Sequence, residues 1–138
     1  MKKKERLKIY TIKDPIYNQS FLLCIGKKED FDNRIERLYG VERDTRKLDG
    51  ARFTLFNEQQ DKSVQYVWVK SFDWSIQDQA LLAHELLHQA MRALNDCGVQ
   101  IKNGIEETNE EFVYYFEYLF KQVWQKLKPL HKKSSKKV

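Results

Sequence analysis

Apolar residues occur in short bursts upstream of Ser75 and at helical intervals downstream of it. Residues 7–12 and 21–25 are apolar stretches bounded by Pro15, Asn18 and Gly26, which suits two strands. Residues 28–39 predict a helix. Residues 51–56 and 64–69 alternate apolar and polar side chains, the period of two expected of half-buried strands, and the polar segment 57–62 predicts the turn between them. Ser75 fits an N-cap, with Asp78 in the place of a capping-box acid, and residues 76–95 contain no Gly or Pro and are rich in Ala, Leu, Gln and Met. That run predicts a long helix. Leu82, Ala83, Leu86, Leu87, Ala90, Met91, Ala93 and Leu94 cover about half its circumference, with Glu85, Gln89 and Arg92 on the other half. Asn95 to Gly98 form a turn-rich break, and Asn103 and Gly104 form another. A second helix is expected from near Glu106 to about Leu127. Its apolar set Phe112, Phe116, Leu119, Phe120, Val123 and Leu127 recurs at i, i+3, i+4 spacing and should pack against the first. The order predicts an α+β domain, a small mixed sheet of about four strands packed on two helices.

Length and charge narrow this picture. A chain of 138 residues suits one domain with one core. The longest unbroken apolar stretch, residues 21–25, is far too short to span a membrane. The net charge of +5 is concentrated at the ends: residues 1–8 carry +4 and residues 129–138 another +4, leaving the body at −3. Residues 1–8 are therefore expected to be a basic tail, 9–128 the domain, and 129–138 a disordered basic tail. Such tails add only loose attraction to phosphate or acidic partners, and the body has no Gly-rich phosphate loop or zinc-knuckle spacing. The basic N-terminus lacks the apolar segment of a secretory signal, so a cytoplasmic location is expected, with Cys24 and Cys97 reduced.

The chemistry is concentrated in residues 84–88, His-Glu-Leu-Leu-His. Residues four apart share a helix face, so His84 and His88 can offer ring nitrogens to one ion, and zinc accepts such a pair. Glu85 lies about 100° round the helix, a poor first ligand but able to reach a water beside the ion. The chain has three histidines, and shuffling its composition would yield this pattern roughly three times in a thousand. The helix drawing puts both rings at the boundary of the apolar stripe, beside Met91 and Ala80. Catalytic zinc usually takes three protein ligands and leaves one position open. The third ligand must come from elsewhere. Glu106, Glu107, Glu110 and Glu111 crowd the start of the second helix, where acids also complement the macrodipole, and helical geometry favours Glu110 and Glu111 equally. Cys97 is the next candidate, and His131 sits in the basic tail.

The motif, followed about twenty residues later by a glutamate on the next helix, resembles the gluzincin branch of the zincin metallopeptidases. Residues 108–119, Thr-Asn-Glu-Glu-Phe-Val-Tyr-Tyr-Phe-Glu-Tyr-Leu, also resemble small HExxH proteins often encoded by bacteriophages, in which an acidic pair precedes an aromatic-rich helix. The resemblance covers residues 74–120. It implies a zincin-like fold, zinc held by His84, His88 and Glu110 with Glu111 as the fallback, and Glu85 as the base that activates water to cleave a peptide bond. A bacterial host cell is the location it implies if the chain is phage-encoded. It also implies that the strand before the motif helix borders the substrate cleft, where Val64, Tyr66 or Trp68 could pair with an extended peptide. Many gluzincins place an acid a few residues after the ligand glutamate, to orient a histidine. Here Val113 and Tyr114 stand there, and Tyr114 or Tyr118 could instead face a developing oxyanion.

Three functions fit these residues: a small metallopeptidase acting on a protein or peptide, a zinc-stabilised structural or virion-assembly protein whose hydrolase site is idle, and a regulatory protease of the repressor-cleaving kind.

Overall fold

The computed structural model describes residues 7–41, 46–57, 60–99 and 110–135. Along the chain run β1 (Lys8–Ile12), β2 (Phe21–Ile25), α1 (Lys28–Tyr39), β3 (Gly50–Asn57), β4 (Lys62–Val69), α2 (Ile76–Asp96) and α3 (Glu110–Ser135). The architecture is α+β, as the patterning predicts. Four strands form one mixed sheet in the order β1-β2-β4-β3, with β2 and β4 parallel and the other neighbours antiparallel.

Alternation along the strands divides the core into two layers. Phe21, Leu23, Ile25, Val67 and Val69 face α2 and α3, where they meet Leu82, Leu86, Ala90, Leu119 and Val123. Cys24, Tyr66 and Trp68 point the other way, onto Phe31 and Ile35 of α1. Tyr66 to Val69 are therefore all buried, because both faces of β4 are covered. Phe31 stacks on Trp68 with ring centroids 5.6 Å apart and lies 5.6 Å from Phe53.

α2 starts where Ser75 accepts a hydrogen bond from the Asp78 backbone N–H at 3.1 Å. Only half of the expected capping box forms. The Asp78 carboxylate accepts from the Asp73 N–H, while the Ser75 N–H donates to Asp73 Oδ1. The helix stops at Gly98, whose φ of 81° suits glycine, and Val99 N–H reaches back to the Leu94 carbonyl at 2.9 Å in a Schellman closure. α3 returns antiparallel to α2. Trp124 donates to Gln79 near the start of α2, while Tyr115, near the start of α3, packs edge-on against Tyr17, whose carbonyl accepts from the Cys97 thiol just beyond α2. Buried Asp14 fastens that end. Its carboxylate accepts from the backbone of Ile16, Tyr17 and Gln19 and from the Tyr115 hydroxyl at 2.7 Å.

One expected boundary differs. α3 continues to Ser135 rather than closing near Leu127, so residues 129–135 are helical where a disordered tail was expected; Leu130, Lys132 and Lys133 favour the helix against the backbone N–H that Pro129 lacks. Asn103, Gly104, Glu106 and Glu107, together with residues 1–6 of the basic tail, lie outside the described residues. No helix among the described residues is long and apolar enough to cross a membrane.

Replacing Phe31 with Ala should cost about 3–5 kcal/mol, because it empties the layer between α1 and the sheet. Denaturant titration would measure the loss, and a cost below about 1 kcal/mol would show that α1 is not seated by this ring.

Candidate metal centre

Helical spacing brings His84 and His88 together on α2. Their Nε2 atoms lie 3.2 Å apart, with the rings nearly perpendicular at 80°. Two arrangements produce that distance. One ring can donate to the other as a neutral hydrogen-bonded pair, or both can turn lone pairs toward a common cation. Zinc–nitrogen bonds of about 2.0–2.1 Å at a tetrahedral angle separate the two nitrogens by about 3.3–3.4 Å, so the observed spacing needs almost no adjustment to hold the ion. Glu85 completes a cluster in which a ligand atom from each residue lies within 4.8 Å of the others. The two imidazoles are donors that suit zinc, and the Glu85 carboxylate stands near enough to reach a water beside the ion.

The three residues occupy different environments. Both histidines are exposed, while Glu85 is only 6 % exposed. The rings therefore do not sit at the stripe boundary as expected; they lie on the outer side of α2, roughly opposite Leu86. The reason is a rotation of the helix. Glu85 and Gln89, expected on the polar half, are buried against the sheet, whereas Leu87 and Met91, expected in the stripe, are 38 % and 43 % exposed. A layer of polar contacts holds this rotation. Gln89 accepts from Arg52 Nε at 2.7 Å and donates to Gln65 at 2.9 Å.

Glu85 lies against Gly50, the first residue of β3. A Cβ at residue 50 would stand 3.2 Å from Glu85 Oε2 and 3.1 Å from the Trp68 carbonyl. Glycine therefore makes room for the carboxylate. Burial raises the pKa of Glu85, and the neighbouring charges of His84 and His88 oppose that rise. The result is a carboxylate that accepts a proton more readily than a solvated one, beside two donors suited to a cation.

The expected third ligand is not in the cluster. Glu110 and Glu111 are exposed in the first turn of α3. Neither joins the His84–Glu85–His88 group; with Trp124 against Gln79 near the start of α2, both lie toward its far end. Glu111 is close enough to Tyr17 to raise its phenol pKa, after burial. Cys97 is exposed and is absent from the His84–Glu85–His88 cluster, and the side chain of His131 lies outside the described residues. Tyr118 packs half-buried against the main core, and Tyr114 is exposed.

The strand expected to border a substrate cleft is also corrected. β4 pairs with β2 on one side and with β3 on the other from Gln65 to Val69, which leaves Tyr66 and Trp68 no free backbone for a peptide; Val64 pairs with Leu55 of β3 and lies one residue before the β2 ladder begins. Among the described residues, the sheet edge beside α2 is β3. Gly50, Arg52, Gln65 and Gln89 were not singled out from the sequence, although a glutamine four residues after Glu85 on the same helix face was a readable signal. Comparison with protein-family models, curated proteins and solved structures finds no match.

Two outcomes follow for the metal-free protein. A carboxyl whose pKa is raised on folding stabilises the fold below its unfolded value, near 4.5, and that contribution is lost as pH rises through the folded value. Glu85→Gln should therefore stabilise the fold at neutral pH, by a margin that shrinks on acidification toward pH 4.5. Thermal melts across pH would read this, and a gain constant with pH would contradict it. Gly50→Ala should push the Glu85 side chain aside, lowering any hydrolytic rate more than zinc affinity, and parallel titrations would separate the two effects.

Proposed function

We propose that this protein is a zinc-dependent peptide hydrolase of the gluzincin kind, with His84 and His88 as ligands and Glu85 as the general base. The observation that carries the reading is the 3.2 Å separation of the two Nε2 atoms beside a buried glutamate with a raised pKa. Zinc held there would supply Lewis acidity toward a carbonyl and bring the ionisation of water toward neutral pH. Glu85, held against Gly50, takes the proton of the attacking water and passes it to the leaving amine. β3, the sheet edge beside α2 among the described residues, would offer backbone hydrogen bonds to an extended peptide and bring its carbonyl beside the ring pair, within reach of the water that Glu85 deprotonates. Glu110 is the proposed third ligand, carried over from the resemblance, and the first turn of α3 would have to close toward His88 for it to serve.

That displacement also favours a second reading, in which the histidines hold an ion without turnover and the protein serves a structural or virion-assembly role. The two readings make different demands on Glu85. A hydrolase needs its carboxylate, whereas an idle site needs only the two rings.

Purified protein should carry one zinc per chain, and His84→Ala should lose it. Glu85→Gln should keep the metal while peptide cleavage falls by about a hundredfold or more. Zinc bound equally by wild type and His84→Ala, or equal cleavage by Glu85→Gln, would sink the hydrolase reading. Glu110→Gln should weaken zinc binding more than Glu111→Gln does, and the reverse order would move the third ligand to Glu111.

A further inference from the structure

Arg52 lies on the α2-facing side of β3, two residues along from Gly50. Its guanidinium is held in a fixed pose: Nε donates to Gln89 at 2.7 Å and Nη2 to Gln65 at 2.6 Å. Gln65 in turn donates to Gln19 at 2.7 Å, so the fork is braced from behind. These partners are neutral amides, which orient the cation without bonding a carboxylate to it. Asp96 lies near enough to act on Arg52, but it pairs with Arg92 at 3.1 Å. Among the described residues, none of the ion pairs includes Arg52. A half-buried guanidinium with donors to spare and no carboxylate bonded to it is suited to receive one. Arg92 adds a second positive charge nearby.

We propose that Arg52 recognises a carboxylate on an extended peptide lying along the open edge of β3, so that the preferred substrates are acidic. This rests on the peptide-hydrolase reading and names its substrate class. Side chains two apart on a strand share a face and stand about 6.6–6.8 Å apart. The acid therefore sits two positions from the residue whose carbonyl meets Glu85. An aspartate or glutamate side chain, or a chain terminus, supplies the same group.

The test uses decapeptide libraries with amidated ends, comparing Glu with Gln at each position, and a second set with free C-terminal carboxylates. Cleavage by the full chain is followed by mass spectrometry. In parallel, binding of the same peptides to the Glu85→Gln variant is followed by fluorescence anisotropy, so a protein that never cleaves still reports on Arg52. The acid should be favoured at one position by about tenfold or more, the size of one charge-assisted pair. That ratio should fall to near one in Arg52→Gln and be partly retained in Arg52→Lys, which keeps the charge and loses the fork. A preference at an internal position assigns the carboxylate to a side chain; a preference confined to free ends assigns it to the terminus. Each comparison is between peptides on one protein, so a partial loss of folded variant leaves the ratio unchanged, and Arg52→Gln must still bind the Gln peptides as wild type does for its ratio to count. A wild-type ratio near one, a ratio unchanged in both variants, or no peptide bound or cleaved would each overturn the proposal.

Discussion

Glu85 and Gln89 of α2 are turned into the sheet, and the arrangement of the candidate chemistry depends on how they are accommodated there. Gly50 lacks a Cβ where the Glu85 carboxylate needs space, and Arg52 and Gln65 meet the amide of Gln89. A buried polar group costs free energy unless it finds a partner, so these contacts permit only a narrow range of rotation about the helix axis. At that rotation His84 and His88 point outward, and Leu87 and Met91 are brought toward solvent beside them. A turn of the helix toward its apolar stripe would bury more hydrocarbon, but it would strand Gln89 and pull Glu85 away from Gly50.

The sheet supports this seating from both sides. α1 covers one face through Phe31 and Ile35, and α2 and α3 cover the other, so β4 is held rigidly in the middle while β3 remains an edge. Asp14 ties the β1–β2 turn to Tyr115, which fixes the far end of the α2–α3 pair.

The same geometry separates the parts of the candidate centre by how far each is assembled. The ring pair and Glu85 belong to one helix, and their spacing follows from its pitch. A third donor has to come from another element, and its position depends on helix packing and on the segment between α2 and α3. Glu110, the first residue of α3, lies toward the far end of α2 from the ring pair, which makes the start of α3 the part whose movement would decide between a working centre and an idle one.

Much of this was legible in the chain. The two strand pairs, the three helices, the Ser75 cap and the stop at Gly98 follow from local periodicity and turn chemistry, which act over a few residues. The His84–Glu85–His88 cluster was equally legible, because four-residue spacing on a helix places side chains together whatever surrounds it. Only the tertiary structure decided which side of α2 faces the sheet, since that depends on partners in β3 and β4 more than twenty residues away in sequence. Strand order was decided there too. The interposed β3 turns back to pair antiparallel with β4, so the strand adjoining the motif in sequence becomes an inner strand, and the free edge passes to a segment that sequence proximity did not favour.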